Sequence, residues 1–441
     1  MAIADSGAAQ AGQDGYSSAY KTYILVLLTA VYTTNYADRQ ILSVLATPII
    51  KEFGLTDGEM GALGGIAFAL FYTSFGIPVA ILADRASRTR IMAGAAAMWS
   101  AFTVLCGLAG NYWHLLIARV GVGIGEAGGS PPAHSLISDL YAPKQRATAL
   151  AVYATGVPFG VAVGLFLGAP IAAAYGWRAA FLVLGIPGLL LSLLVLFTVR
   201  EPRRGQSETA PDSVAAVERA AAKPTFWEVL RFMFSQRALR HVIIGATIVT
   251  TVGYAGVQWN LTFLIRSHAM DPVFAAYYLG TVAIIAGVAG TFLAGYLADL
   301  LGRRDPRWNA WIVALLFLVG LPFGTYALMT DDTTLLMWLL PLPVLVSGGY
   351  LGPTFAMTQN LVGLRMRAVA SALLLFIINL IGMGLGPWVA GLLSDMFAAE
   401  YGVHALRHAL FLMGFLSIWG VLHYWLAGRS LIADYARAAQ T

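Results

Sequence analysis

Apolar residues recur in runs of about 20, the length at which a helix crosses the roughly 30 Å hydrocarbon layer of a bilayer. Twelve runs can be marked, near 22–46, 58–83, 91–110, 112–139, 146–174, 177–199, 239–266, 272–298, 308–328, 333–361, 367–394 and 404–427. Inside a bilayer each segment must satisfy its own backbone polar groups, so each run is expected to be a helix. The composition agrees: 59% of residues are hydrophobic and 11% charged, where a soluble domain carries about 25% charge. The expected fold is an all-α membrane protein of twelve transmembrane helices.

Charge in the connecting loops sets the expected orientation. Alternate loops hold Arg85, Arg88 and Arg90; Lys144 and Arg146; Arg303, Arg304 and Arg307; Arg365 and Arg367. The loops between them are acidic, mixed or uncharged apart from the single Arg178, with Lys51, Glu52, Asp57 and Glu59 in the first and Asp331 and Asp332 in a later one. The positive-inside rule places the basic loops and both termini in the cytoplasm, for a multi-pass protein of the cell membrane. Only four of the 27 basic residues are lysine; this arginine bias suggests a GC-rich bacterium and its inner membrane.

Residues 200–238 form the one long break and divide the chain into six-helix halves, 21–199 and 239–428, with tails at 1–20 and 429–441. The first tail is Ala/Gly/Ser-rich, expected to be disordered, and shows no removable signal pattern. Within the break, Thr225 and Glu228 read as a capping box before a stripe of Phe226, Val229, Leu230 and Met233, an amphipathic interfacial helix; 205–222 reads as a tether. The halves repeat each other. Ala80-Ile-Leu-Ala-Asp84-Arg85-Ala-Ser-Arg88 returns as Gly295-Tyr-Leu-Ala-Asp299-Leu-Leu-Gly-Arg303, and Arg146-Ala-Thr-Ala-Leu as Arg367-Ala-Val-Ala-Ser, at nearly constant offset. Parallel halves around a midplane site are one recurrent architecture of secondary transporters.

Against this apolar background two charged sites stand out: Asp38-Arg39 in the first run, and Arg119 and Glu126 in the glycine-rich stretch Ala118–Gly128. Arg119 and Glu126 are seven residues apart, about two turns, and so share one helix face. An unpaired central charge costs roughly 2.5–3.5 kcal/mol on insertion scales, so these residues imply a function. Desolvation favours the protonated form of Asp38 and a neighbouring arginine its charged form. If Arg119 approaches Asp38 in one state and Glu126 or an anionic head group in another, proton and substrate compete for one cation. Asp38, Glu126 and Arg119 are therefore expected to couple protons, with a static ion-pair network as the alternative. Arg39 points about 100° from Asp38, and is expected to serve substrate or gating.

The chain resembles the major facilitator superfamily over nearly its whole length. Its G-x-L-A-D-R-x-G-R-R loop matches at Asp84, Arg85 and Arg88, departing at Ala80, Ser87 and Thr89; the second copy keeps Asp299 and Arg303 and departs at Leu300. Arg119-x-x-x-Gly123-x-Gly125 matches a fourth-helix motif of that family tied to proton coupling. Gly156-Val-Pro-Phe-Gly160 and Gly382-x-x-x-Gly386-Pro387 are similar to the fifth helices of its exporters. Asn35-Tyr36-Ala-Asp38-Arg39 with Arg119-Val-Gly-Val-Gly-Ile-Gly-Glu126-Ala looks like the spinster branch. The resemblance implies proton-driven alternating-access transport of a lysolipid or sphingoid phosphate, whose anionic head would meet Arg119, Arg39, Glu126, Asn35 and Tyr36. It also implies a gate at the basic loops made by Asp84, Arg85, Arg88, Arg146, Asp299, Arg303 and Arg367.

In the second half, Tyr254, Gln258, Asn260, Tyr350 and Asn379 are expected to line the cavity, while His134, His241 and His423 read as interfacial anchors. Pro341, Pro343 and Pro353 are expected to bend the tenth run. A symporter of a small organic anion and a non-transporting receptor are the competing readings. No catalytic residue is expected, because H-E-x-x-H, Walker and G-x-S-x-G patterns are absent from the sequence. The lone Cys106 excludes an internal disulfide or a cysteine-based zinc site. No metal or cofactor beyond protons is expected, nor nucleic acid, since the formal +5 charge is scattered through short loops. The expected partners are the bilayer and the amphipathic substrate, and the expected state is a monomer.

Overall fold

The computed structural model describes residues 16–205, 207 and 225–438; the first tail up to 15 and nearly all of the tether lie outside the described residues. Twelve spans follow one another as expected. The first is Ser18–Val44, continued by Ala46–Phe53; the second is Asp57–Gly64 with Ile66–Arg85; the third is Arg88–Gly107. Tyr112–Glu126 with Ser130–Leu140, Pro143–Ala154 with Gly156–Tyr175, and Trp177–Thr198 complete the first half. In the second half, span seven is Arg237–His268 and span nine Trp308–Met329. Spans eight and eleven each carry a π-helical stretch, Ala283–Gly287 and Ile378–Met383. Span twelve, Ala405–Ala438, runs on through most of the expected tail.

Among the described residues, nine helical stretches are long and apolar enough to cross a membrane, the last running through spans eleven and twelve. Spans one and four are not among them. The first is diluted by its polar central residues and the fourth is interrupted between Glu126 and Ser130. These are the two spans that carry the buried charges. Span ten breaks twice, before Pro341 and around Gly349, into Thr333–Leu339, Pro341–Gly348 and Leu351–Leu361. A proline at the first position of a helix lacks only an N–H that would go unbonded there, so the break falls in front of it.

The capping box forms in both directions, Thr225 accepting from the Glu228 amide and Glu228 accepting from the Thr225 amide. The helix Phe226–Ser235 packs its apolar stripe against the second half. It sinks Val229 and Met233 completely into the second half and leaves Trp227 outward.

Two apolar cores result. One runs from the first half into Trp259, Phe263, Leu264 and Ala390 of the second; the other stays inside the second half and ends at the amphipathic helix. The halves therefore share a core at the end away from the basic loops, here the far end. Gly61 and Gly391 lie at this crossing of spans two and eleven, where a Cβ would run into the Pro387 and Asp57 carbonyls respectively.

Candidate functional site

Spans one and four bring Asp38, Arg39, Arg119 and Glu126 together. Two glycines permit it. A Cβ on Gly123 would stand 2.8 Å from the Phe68 carbonyl of span two, and one on Gly125 2.6 Å from the Trp99 amide of span three. Only a bare backbone lets span four lie this close to both neighbours.

Glu126 is 2% exposed and accepts a 2.5 Å hydrogen bond from Arg39 Nε. Three rings surround the Arg39 guanidinium: Tyr72 at 4.6 Å, Tyr36 at 4.9 Å and Phe68 at 5.1 Å. Such faces attract a cation most where water is excluded. Arg119 lies over the same Phe68 ring at 5.2 Å, and its Nη1 donates to the Asp38 backbone carbonyl at 3.4 Å. In this conformation Glu126 takes Arg39, whereas Arg119 lies beside Asp38 and makes an ion pair with neither Glu126 nor the Asp38 carboxylate. The turn of about 100° from Asp38 to Arg39 carries the second side chain towards span four.

Asp38 is fully buried, with Glu126, Thr103 and Arg119 as the polar groups around it, yet neither carboxylate oxygen has a hydrogen-bond partner. Buried polar groups are normally bonded, and an isolated buried charge is far more expensive still. Of the four side chains Arg39 keeps the most exposure, 16% against none for its partner Glu126. Asn35 is buried beside Glu126.

Tyr254 of the second half lies in the neighbourhood of Arg39, Tyr36 and Tyr72, and Tyr350 bonds Thr250 at 2.6 Å. Gln258 packs against Gly64, at the break in span two. Asn260 departs from expectation: it lines a separate cavity of about 160 Å³ among spans seven, nine, ten and twelve, with Gly256, Phe317, Val346 and Met413. Asn379 falls in the π-helical stretch of span eleven, where an extra residue per turn reorients the side chains around it.

At the basic end Arg88 of the expected latch is tied to its own half and the segment beyond span six. Arg88, 1% exposed, pairs with Asp139 of span four and, at 2.7 Å, with Glu201 beyond span six. Glu201 also accepts from the Ser87 hydroxyl at 2.8 Å and the Thr89 amide at 2.9 Å, and Arg204 donates to the Ala83 and Ala86 carbonyls. The side chain of Asp84 lies outside the described residues, and Arg85 is exposed. Arg146 bonds Ser207 at 3.1 Å and Arg367 the Gln359 carbonyl at 3.0 Å, each within its own half or the adjoining linker. Asp299 and Arg303 are exposed. His241 and His423 face each other, 3.0 Å between Nδ1 atoms, while His134 packs on Tyr153.

The far end holds bonds between the halves that sequence reasoning missed. Asp395 accepts from the amides of Asp57 and Gly58, 2.8 Å each, capping the start of span two. Asp57 in turn receives Arg266 at 2.8 Å and the Ser394 hydroxyl at 2.6 Å. The signal for Asp57 was present in Thr56-Asp57-Gly58-Glu59, a capping box announcing a helix start; nothing in the sequence joined it to Asp395.

Comparison with known proteins extends this picture. The family model for the Major Facilitator Superfamily matches residues 28–387. The MFS-type efflux pump of Mycolicibacterium smegmatis is 36% identical over 94% of both chains. Protein spinster homolog 1 of Mus musculus is 27% identical, covering 97% of this chain and 84% of its own. The crystal structure of a bacterial homolog of the human lysosomal transporter spinster, inward-facing and unoccupied, superposes with a TM-score of 0.86 at 31% identity over 95% of this chain and 99% of that one.

Proposed function

Since this chain belongs to the major facilitator superfamily as a spinster-type transporter working by alternating access, we propose that it couples proton movement to the transport of an amphipathic anion, such as a lysophospholipid or sphingoid phosphate. The observation that carries the reading is the division of labour among four buried charges. Glu126 holds Arg39, the less buried cation of the set, while Asp38 sits close to Arg119 without a bond to its carboxylate.

An anionic head entering from the basic end meets Arg39 first and competes with Glu126 for it. Glu126, once displaced in a site with little water, is best stabilised by taking a proton, so binding of the anion and of a proton become linked. Asp38 and Arg119 form the second member of the relay, positioned to exchange a proton when spans one and four shift. Tyr36 and Asn35 frame the head group. The basic end then faces the cytoplasm of a bacterial cell, the state is inward-open, and the protein works as a monomer.

The experiment is proton flux into pyranine-loaded proteoliposomes on addition of a lysophosphatidate, a sphingoid phosphate or a short carboxylate. Flux with the acyl-bearing anions, abolished by Arg39→Ala, is the expected result. Flux of equal size with the short carboxylate would replace this reading with a small-anion symporter.

A further inference from the structure

Spans nine and twelve leave a groove of about 440 Å³ on the outer side of the second half, near the basic end. Trp308, Trp311, Leu315, Leu318, Leu422 and Trp425 wall it. Leu318 is 53% exposed and Trp425 44%, so no other described residue fills it. Leucines facing outward are ordinary on a membrane span; the rim of this groove is not. Arg307 stands over the Trp311 ring at 5.9 Å and Arg429 over the Trp425 ring at 5.0 Å. Trp311 Nε1 donates to the Trp425 carbonyl at 3.2 Å, which ties the two rims together. Gly428 allows it, because a Cβ there would collide with the Trp311 ring. Arg303 and Arg304 lie exposed in the same loop as Arg307, and the nearest acid, Asp305, reaches Arg307 Nε only at 4.0 Å.

We propose that this groove binds a bilayer phospholipid with an anionic head group, its phosphate held between Arg307 and Arg429 and one acyl chain lying along Leu318 and Leu422. The chain fits an apolar trough, indoles belong at the depth where chain meets head group, and guanidinium groups match phosphate oxygens in geometry as well as charge. A zwitterionic lipid brings its own cation to a rim that already carries two. The groove lies on the outer face of spans nine and twelve, apart from the chamber of spans one and four, so this lipid is a bound partner and not the cargo.

The test is native mass spectrometry of the full-length protein from micelles containing equal amounts of phosphatidylglycerol and phosphatidylcholine. Preferential retention of phosphatidylglycerol is expected, with the preference falling about thirtyfold in Arg307→Ala/Arg429→Ala and phosphatidylcholine retention unchanged. Equal retention of both lipids by the unaltered protein, or an undiminished preference in the double variant, overturns the proposal. Should the double variant not fold, Leu318→Trp decides: it fills the trough and spares both arginines, so retained phosphatidylglycerol is fatal to the idea and lost phosphatidylglycerol supports it.

Discussion

Arg39 and Glu126 carry opposite charges in a place where removing one partner strands the other. Breaking a buried pair from one side typically costs about 3–5 kcal/mol, whereas replacing both partners is often neutral. Arg39→Ala is therefore expected to destabilise the protein by about that amount, and Arg39→Leu/Glu126→Leu by much less, as checked by thermal unfolding in detergent. If the double variant is as unstable as the single one, the three rings around Arg39 matter more than the pair. Transport separates the carboxylates further. Asp38→Asn is expected to lose uptake driven by a pH gradient, by about tenfold or more, while keeping counterflow of substrate between equal pools. Loss of counterflow as well would make Asp38 structural. The sequence located all four charges, because a charge inside an apolar run is conspicuous. It did not assign the pairing: Arg39 and Arg119 are equally plausible partners for Glu126 until the side-chain directions of two packed helices are known.

At the level of elements, the segment just past span six acts as a strap across the basic end of the first half. Burial works to raise the Glu201 pKa, but the Thr89 amide, the Arg88 guanidinium and the Ser87 hydroxyl outweigh it and hold this carboxyl below its ordinary value. The unfolded chain therefore binds this proton at a higher pH than the strapped one does. The stabilisation is complete above the ordinary carboxyl range, near pH 4.3, and is lost as pH falls through the lower, folded value. Protection of the Thr89 amide against hydrogen exchange should fall across that acid window in the unaltered protein. In Glu201→Gln exchange should be fast throughout and show no acid step; an unchanged step removes Glu201 from the transition. The spans themselves were legible, since twenty apolar residues leave little choice of structure. The strap was not. Glu201, Asp139 and Arg88 stand far apart in the chain, and a basic loop serves topology whether or not it also binds acids.

For the whole molecule, the shared core and the glycine-mediated crossing of spans two and eleven place the halves together at the far end. Alternating access requires that this contact be breakable, so its polar part should set how often it opens. Asp395 and Arg266 converge on the start of span two through three hydrogen bonds of 2.8 Å. Each such bond contributes about 0.5–1.5 kcal/mol net, more where an ion takes part. Arg266→Ala/Asp395→Asn should therefore shift the balance of closed and open far ends by about 1–3 kcal/mol, or roughly 5–150-fold. Spin labels at Lys51→Cys and Glu400→Cys report on it from exposed positions of opposite halves near this end. Cys106, fully buried in span three, leaves the background unlabelled. A longer-distance population in the double variant is the expected result. Gly391→Val should produce the same population by another route, because its added side chain meets the Asp57 carbonyl at the crossing. If neither variant moves the distance distribution, the far end is held by its apolar core alone, and the switch must be sought where spans one and four carry their charges.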